Sequence, residues 1–208
     1  MKVEAIKVAL VASAAVFGLV VTTAARAADV NSVVEGCANC HGKDGASTES
    51  DVPALGGLSA TYLQANMEGY KKKERPCPET KVRAGPKKDT KSDMCQVVKE
   101  LSDADIKAVS QYYAGKKFAR IPQKFDAELA KKGKAIHQDE CEKCHSNDGT
   151  VANDDAGILA GQRMGYLSQT FDEYKSGKRA MEKKMKPKID KLDKASFDAL
   201  VNYYGSFK

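Results

Sequence analysis

The stretch DECEKCHSNDG, Asp139 to Gly149, holds two cysteines and a histidine in the spacing Cys-x-x-Cys-His, and EGCANCHGKDG, Glu35 to Gly45, holds the same spacing earlier in the chain. Such a motif can ligate zinc, run thiol–disulfide chemistry or carry haem. Zinc ribbons bring two Cys-x-x-Cys knuckles together across a short loop, whereas Cys40 and Cys141 lie far apart here and each motif is complete in itself. Thioredoxin-like sites need a strand before the motif and an alternating fold, and neither half of this chain shows strand-like alternation. Covalent haem attachment uses every residue type present. Two thiols form thioethers with the haem vinyl groups, and the adjacent imidazole becomes an iron ligand. The reading is therefore two covalently held haem c groups, one on Cys37 and Cys40, the other on Cys141 and Cys144, with His41 and His145 on the irons.

The two motifs are landmarks of a tandem repeat. An offset of 104 carries Cys37, Cys40 and His41 onto Cys141, Cys144 and His145, and ATYLQANMEGYKKKER (Ala60 to Arg75) onto MGYLSQTFDEYKSGKR (Met164 to Arg179). Beyond that the offset falls to 91, where MCQVVKELSDADIKAVSQYY (Met94 to Tyr113) lies over MKPKIDKLDKASFDALVNYY (Met185 to Tyr204). The difference is a 13-residue insertion in the first half, between Arg75 and Met94. The predicted division is a first domain over 28–117 and a linker with a second domain over 118–208.

Each half reads as helices, so the expected fold class is all-α. KFDAELAKKGKAIHQDECEKCH places Phe125, Leu129 and Ile136 near one face of a helix leading into the second motif. DADIKAVSQYY and KASFDALVNYY give closing helices, the first capped by Ser102 or Asp103 before Ile106, Val109 and Tyr113. YLQANMEGY and YLSQTFDEY also show helical spacing. The linker is AGKKFARIPQK, Ala114 to Lys124, where Gly115 ends a helix and Pro122 blocks its continuation.

The first thirty residues read as an address. Lys2 and Lys7 precede an apolar run from Val8 to Val21, and Ala25-Arg26-Ala27 offers small residues where a signal peptidase cuts. The run is short for a membrane span. Residues 1–27 are thus predicted to be a secretory signal peptide, leaving a mature periplasmic protein with no stable membrane insertion. The chain carries a net charge of +6, of which the leader supplies two, so the remainder is mildly basic. With no interleaving of aromatic and basic residues, nucleic acid is not an expected partner. Small domains bury too little apolar surface to be securely stable. A macrocycle held in each half supplies the missing core, which is why the motif occurs twice.

The sixth ligand decides whether the iron catalyses or conducts, because a His/Met pair closes the iron and raises its potential. The repeat sorts the methionines. Met94 and Met185 correspond, each seven residues before the leucine (Leu101, Leu192) that opens the last helix. Met67 maps to Phe171 and reads as core, Met164 maps to Ala60, and Met181 maps to Cys77 and rivals Met185. The spare histidine, His137, reads as a surface residue. A haem-ligating imidazole usually gives its second nitrogen to a backbone carbonyl. That carbonyl is expected to be Pro53's in VPALGG and Gly157's in AGILAG.

These residues resemble the tandem class I dihaem cytochromes c, meaning the cytochrome c-four type and its relative, the cytochrome subunit of flavocytochrome c sulfide dehydrogenase. CEKCH, ILAGQ, YL and RAMEKKM in the second half are similar to the sulfide dehydrogenase subunit. LSDADI with YYAGKKF in the first half is similar to the cytochrome c-four type. The resemblance implies His41/Met94 and His145/Met185 as axial pairs, with the haems near the interdomain surface. It also implies an electron-transfer subunit without catalysis of its own, reduced by an FAD-containing flavoprotein sulfide dehydrogenase. Electrons would leave to a small cytochrome or an oxidase. The alternative is a free-standing dihaem carrier. The insertion PCPETKVRAGPKKDTKSDMC departs from both relatives and brings Cys77 and Cys95, which in an oxidising compartment are expected to pair as a disulfide. Lysine runs such as YKKKER and KRAMEKKMKPKIDK read either as a solvated face or as a docking rim for an acidic partner.

Overall fold

In the computed structural model, residues 29–152 and 155–208 are described, so the leader read over 1–27 lies outside the described residues. Helix starts follow the caps written into the sequence. Helix α1 (Val30–His41) begins at Asp29, whose carboxylate accepts from the Asn31 N–H. Ser59 caps α2 (Ala60–Lys71) and Asp93 caps α3 (Met94–Lys99). Ser102 closes a capping box with Asp105 on α4 (Asp103–Ala114), the first of the two caps considered for that helix. In the second half, Asp126 caps α5 (Ala127–Ile136), which runs into a π-turn at His137–Cys141 and then the single turn α6 (Ser146–Gly149). Helices α7 (Met164–Lys175), α8 (Lys186–Lys191) and α9 (Lys194–Gly205) complete the chain, with Pro187 in the first turn of α8 and Asp193 capping α9.

Among the described residues the fold is helical, as expected, with one small exception. The insertion forms a hairpin of two-residue strands, β1 (Thr80–Lys81) and β2 (Lys91–Ser92), paired antiparallel as Thr80 with Ser92 and Lys81 with Lys91. A ladder this short has no apolar alternation to betray it in sequence.

Each half gathers its own apolar cluster. Val34, Leu58, Leu63, Val109, Tyr113 and Phe118 pack in the first, and Leu167, Phe171, Ile189, Phe197, Leu200 and Tyr204 in the second. Phe118 places the linker inside the first cluster, and Ile158 reaches into it from the second half. Helix α5 crosses α9 so closely that a Cβ on Gly133 would lie 2.1 Å from the Ala199 carbonyl oxygen. That approach overturns two sequence expectations. The most buried line of α5 is Ala130 and Gly133, continuing to His137, because only small residues fit against α9, while Ile136 of the expected face packs half-buried on the second cluster. Phe125 precedes the helix and is 39% exposed, while His137, read as a surface residue, is 0% exposed.

Polar groups fasten the halves together. The buried Gln162 side chain accepts from the Ala54 N–H at 2.8 Å and donates to the Ala54 carbonyl at 3.0 Å. Arg163, also buried, donates to the carbonyls of Thr48 and Glu49, and the Tyr166 N–H donates to the Ser50 carbonyl. Truncating Gln162 to Ala leaves both Ala54 groups buried without partners, at about 1–3 kcal/mol for each unsatisfied group. Gln162→Ala should lower the unfolding free energy by at least about 2 kcal/mol in denaturant titrations. A loss within the usual range of a surface substitution would show that water replaces the amide.

Candidate haem sites

The last turn of α1 carries Cys37, Cys40 and His41 at i, i+3 and i+4, which puts all three on one helix face. His41 is buried and donates from Nδ1 to the Pro53 carbonyl at 2.9 Å. A carbonyl can only accept, so the proton sits on Nδ1 and the lone pair on Nε2 is left for a metal. Burial lowers the proton affinity of this ring, only partly opposed by the Pro53 bond, and keeps it neutral as a ligand must be. Gly42, at φ +75°, turns the chain immediately after the histidine, and a Cβ there would meet the Ala46 carbonyl oxygen at 2.6 Å.

The second motif reaches the same arrangement by another path. The π-turn delivers Cys141, the following turn delivers Cys144 and His145, and His145 donates from Nδ1 to the Gly157 carbonyl at 3.3 Å. Both carbonyls are those expected from sequence, and the contact without proline is the longer one. Burial lowers the proton affinity of His145 too. None of Cys37, Cys40, Cys141 and Cys144 is in a disulfide. Burial pushes the Cys37 and Cys141 thiols up to about 11, away from the lowered thiolate range of a redox cysteine.

Met94 opens α3 and Met185 caps α8, both half-buried, with α3 packed on α2 and α8 on α7. Met67 packs on the first apolar cluster, in keeping with its core role, and Met164 packs on the second. Met181 and Met185 both pack against the second cluster, so they remain rivals.

Cys77 and Cys95 are joined as a disulfide with Cα atoms 5.8 Å apart, within the usual span. The hairpin it ties lies on the first motif. The N–H groups of Arg83 and Ala84 both donate to the Asn39 carbonyl, and Gly85, at φ +74°, sits against the Asn39 side chain. The Arg83 guanidinium pairs with Glu49 at 3.3 Å and Asp51 at 2.8 Å. The equivalent of Asn39 in the second motif, Lys143, is exposed.

One feature missed in the sequence is a polar cluster between the halves. Arg75 lies over the Tyr70 ring at 4.1 Å, and its repeat equivalent Arg179 over Tyr174 at 4.7 Å. Both guanidiniums converge on the side-chain oxygen of Asn66, Arg179 at 3.2 Å. Arg179 is 5% exposed and has Glu173 at 3.9 Å. Among the described residues no carboxylate pairs with Arg75, and its buried Nε has no partner. Burial alone would raise the Tyr166 phenol, yet Arg179 and Arg75 together bring it below the ordinary phenol range. A half-buried Arg75 with no carboxylate and a buried Arg179 with only Glu173 at 3.9 Å suit a group that brings carboxylates of its own, as haem does with its propionates. The signal was available, because a charged residue repeated at one position of both halves is more than a repeat marker.

The comparisons agree with the donor set. The sequence profile of the cytochrome c family matches residues 27–114. Cytochrome c4 of Azotobacter vinelandii is 30% identical over 152 residues, spanning 69% of each chain. The crystal structure of reduced recombinant cytochrome c4 from Pseudomonas stutzeri superposes with a TM-score of 0.69 at 25% identity, covering 88% of this chain and 100% of that one. The thiosulfate dehydrogenase (TsdBA) from Marichromatium purpuratum superposes with a TM-score of 0.64 at 28% identity, over 82% of this chain and 36% of that one. With two complete attachment motifs on a helical tandem fold, the chain belongs to the cytochrome c4 family of dihaem electron carriers and holds two covalently bound haem c groups.

Proposed function

We propose that this chain is an exported two-haem relay that works as a free-standing carrier, collecting electrons from a dehydrogenase and delivering them to a small cytochrome or an oxidase. In this reading Cys37 and Cys40 hold one haem and Cys141 and Cys144 the other, within units spanning 28–117 and 118–208. His41 with Met94, and His145 with Met185, would supply the ligands of the two irons. Bound there, haem supplies a one-electron couple. The chain's own part is to fix both imidazoles through Pro53 and Gly157, fill both sixth positions so that substrate is kept off the iron, and clamp the two units together. The observation that carries the reading is the duplicated donor set joined by one buried polar interface, Gln162 to Ala54 and Arg163 to Thr48 and Glu49. A free carrier is supported by the Pseudomonas stutzeri cytochrome c4 chain, which this tandem matches along its full length.

A second reading makes the chain the haem subunit of a flavoprotein sulfide dehydrogenase, favoured by CEKCH, ILAGQ and RAMEKKM in the second half. The thiosulfate dehydrogenase chain, of which a tandem of this shape forms part, supports a donor that oxidises reduced sulfur in either case. Mixing the oxidised cytochrome with a reduced FAD-containing sulfide dehydrogenase separates the two. A complex that survives gel filtration and reduces haem supports the subunit. Absence of a complex, together with rapid electron delivery to an oxidase by the cytochrome alone, supports the carrier. Sulfide oxidation by the isolated cytochrome would contradict both.

A further inference from the structure

The second half contains a buried ionisable group that the first half lacks. His137 maps onto Val33 under the 104 offset, and Glu142, the first residue inside the second motif, maps onto Ala38. The His137 side chain is 0% exposed, with Nε2 at 2.6 Å from Glu142 and Nδ1 at 2.8 Å from the Tyr204 hydroxyl. The Glu142 side chain is 38% exposed and also accepts from the Asn147 and Asp148 N–H groups. Tyr204 is buried, and its hydroxyl is within hydrogen-bonding reach of the sulfur of Cys141, a haem attachment atom. A continuous path thus runs from solvent through Glu142, His137 and Tyr204 to the second attachment sulfur. In the first half the equivalent Tyr113 hydroxyl lies by the Cys37 sulfur and has no nitrogen or oxygen partner among the described residues.

We propose that His137 ties a proton to the electron carried at the second site, acting through Tyr204 on the Cys141 sulfur, and that the first site has no such tie. The proton inventory gives the link. When both ring nitrogens of His137 are protonated, Nε2–H is held by Glu142 and Nδ1–H donates to the Tyr204 oxygen. The Tyr204 proton is then free for the Cys141 sulfur, where it draws electron density from the attached group and favours the reduced state. When His137 is neutral, Nε2–H stays on Glu142 and Nδ1 becomes an acceptor. Tyr204 then turns its proton to Nδ1 and away from the sulfur, which favours the oxidised state. Reduction therefore takes one electron from the donor and one proton from water by way of Glu142, and oxidation returns both.

The other groups facing His137 leave this exchange to Glu142 and Tyr204. Asp148 on α6 is held by the Tyr203 hydroxyl at 2.5 Å, and the Tyr203 ring on α9 lies tilted against the His137 ring, centroids 5.6 Å apart. His145 is committed as an iron ligand and its Nδ1 proton to Gly157. Glu140 faces Lys188 and Lys191 instead. His137 is a positioning residue in this scheme, because it reaches the haem only through Tyr204.

The test is a redox titration of the loaded full chain at a series of pH values, with each midpoint assigned by the NMR signals of its haem. The second midpoint should fall as pH rises across the window in which His137 titrates, and the first should not follow it. The His137 ring nitrogens should titrate at higher pH in the reduced protein than in the oxidised one. His137→Val, which copies Val33, should flatten the second midpoint. Should that variant fail to fold, Glu142→Gln keeps the ring and should move the window to lower pH. A flat second midpoint in the unaltered protein, a His137 titration equal in both redox states, or a slope that survives His137→Val would each overturn the proposal. It rests on haem occupancy of the second motif and not on the identity of the partner. A chain showing a single midpoint would instead count against the two-haem reading.

Discussion

Met94→Ala and Met185→Ala should each remove about half of the near-infrared sulfur-to-iron band of the oxidised protein, and the double variant should remove all of it. The expectation follows from the repeat. The two methionines occupy equivalent places, one opening α3 and the other capping α8, and each is half-buried against a helix of its own half. Loss of a thioether ligand also opens the iron, so each variant should gain affinity for small ligands such as cyanide while its potential falls. Met181 supplies the control, because it packs on the same cluster as Met185. An unchanged band in Met185→Ala with loss in Met181→Ala would move the second ligand four residues upstream. Loss in neither would remove methionine ligation from the second half.

Replacing Cys77 and Cys95 by Ser should destabilise the protein by roughly 3 kcal/mol, the figure chain-entropy models give for closing a loop of this size. The bridge spans a sequence separation of 18 and anchors a hairpin with little apolar packing of its own, Val82 being its buried side chain. Without the bridge the hairpin keeps the Arg83 and Ala84 bonds to Asn39 and the contacts of Thr80 and Arg83 with Asp51. These are mostly exposed polar contacts, each worth little alone. The denaturant midpoint should therefore drop sharply, and exchange at the Arg83 and Ala84 amides should quicken. Non-reducing peptide maps should recover Cys77 and Cys95 linked. Two alkylatable thiols in the unaltered protein would contradict the bridge.

The parts legible in the sequence are those written locally or written twice. Cys-x-x-Cys-His is a local signature, and the caps Ser59, Asp93, Ser102 and Asp193 announce helices within one turn. Repetition then extended the reading, since it sorted Met94 and Met185 from Met67 and located both the insertion and the imidazole partners Pro53 and Gly157. What stayed hidden depends on how elements cross. The apolar spacing of Phe125, Leu129 and Ile136 marked a helix face, of which Ile136 packs on the second cluster, but the close crossing of α5 and α9 makes Ala130 and Gly133 the most buried line. The same crossing buries His137, whose partner Tyr204 lies 67 residues away. Arg75 and Arg179 meet at Asn66 only once the halves are docked, so their shared site cannot be read from either half alone.

The central claim is that both motifs carry haem and that the chain conducts through both. A coulometric reduction of the full chain tests it most directly, with iron counted on the same sample and haem sought on each motif peptide after denaturation. Two electrons and two irons per chain, with haem retained on the Cys37–Cys40 and Cys141–Cys144 peptides, is the result expected. One electron per chain, or a motif peptide recovered with free thiols and no haem, would contradict it.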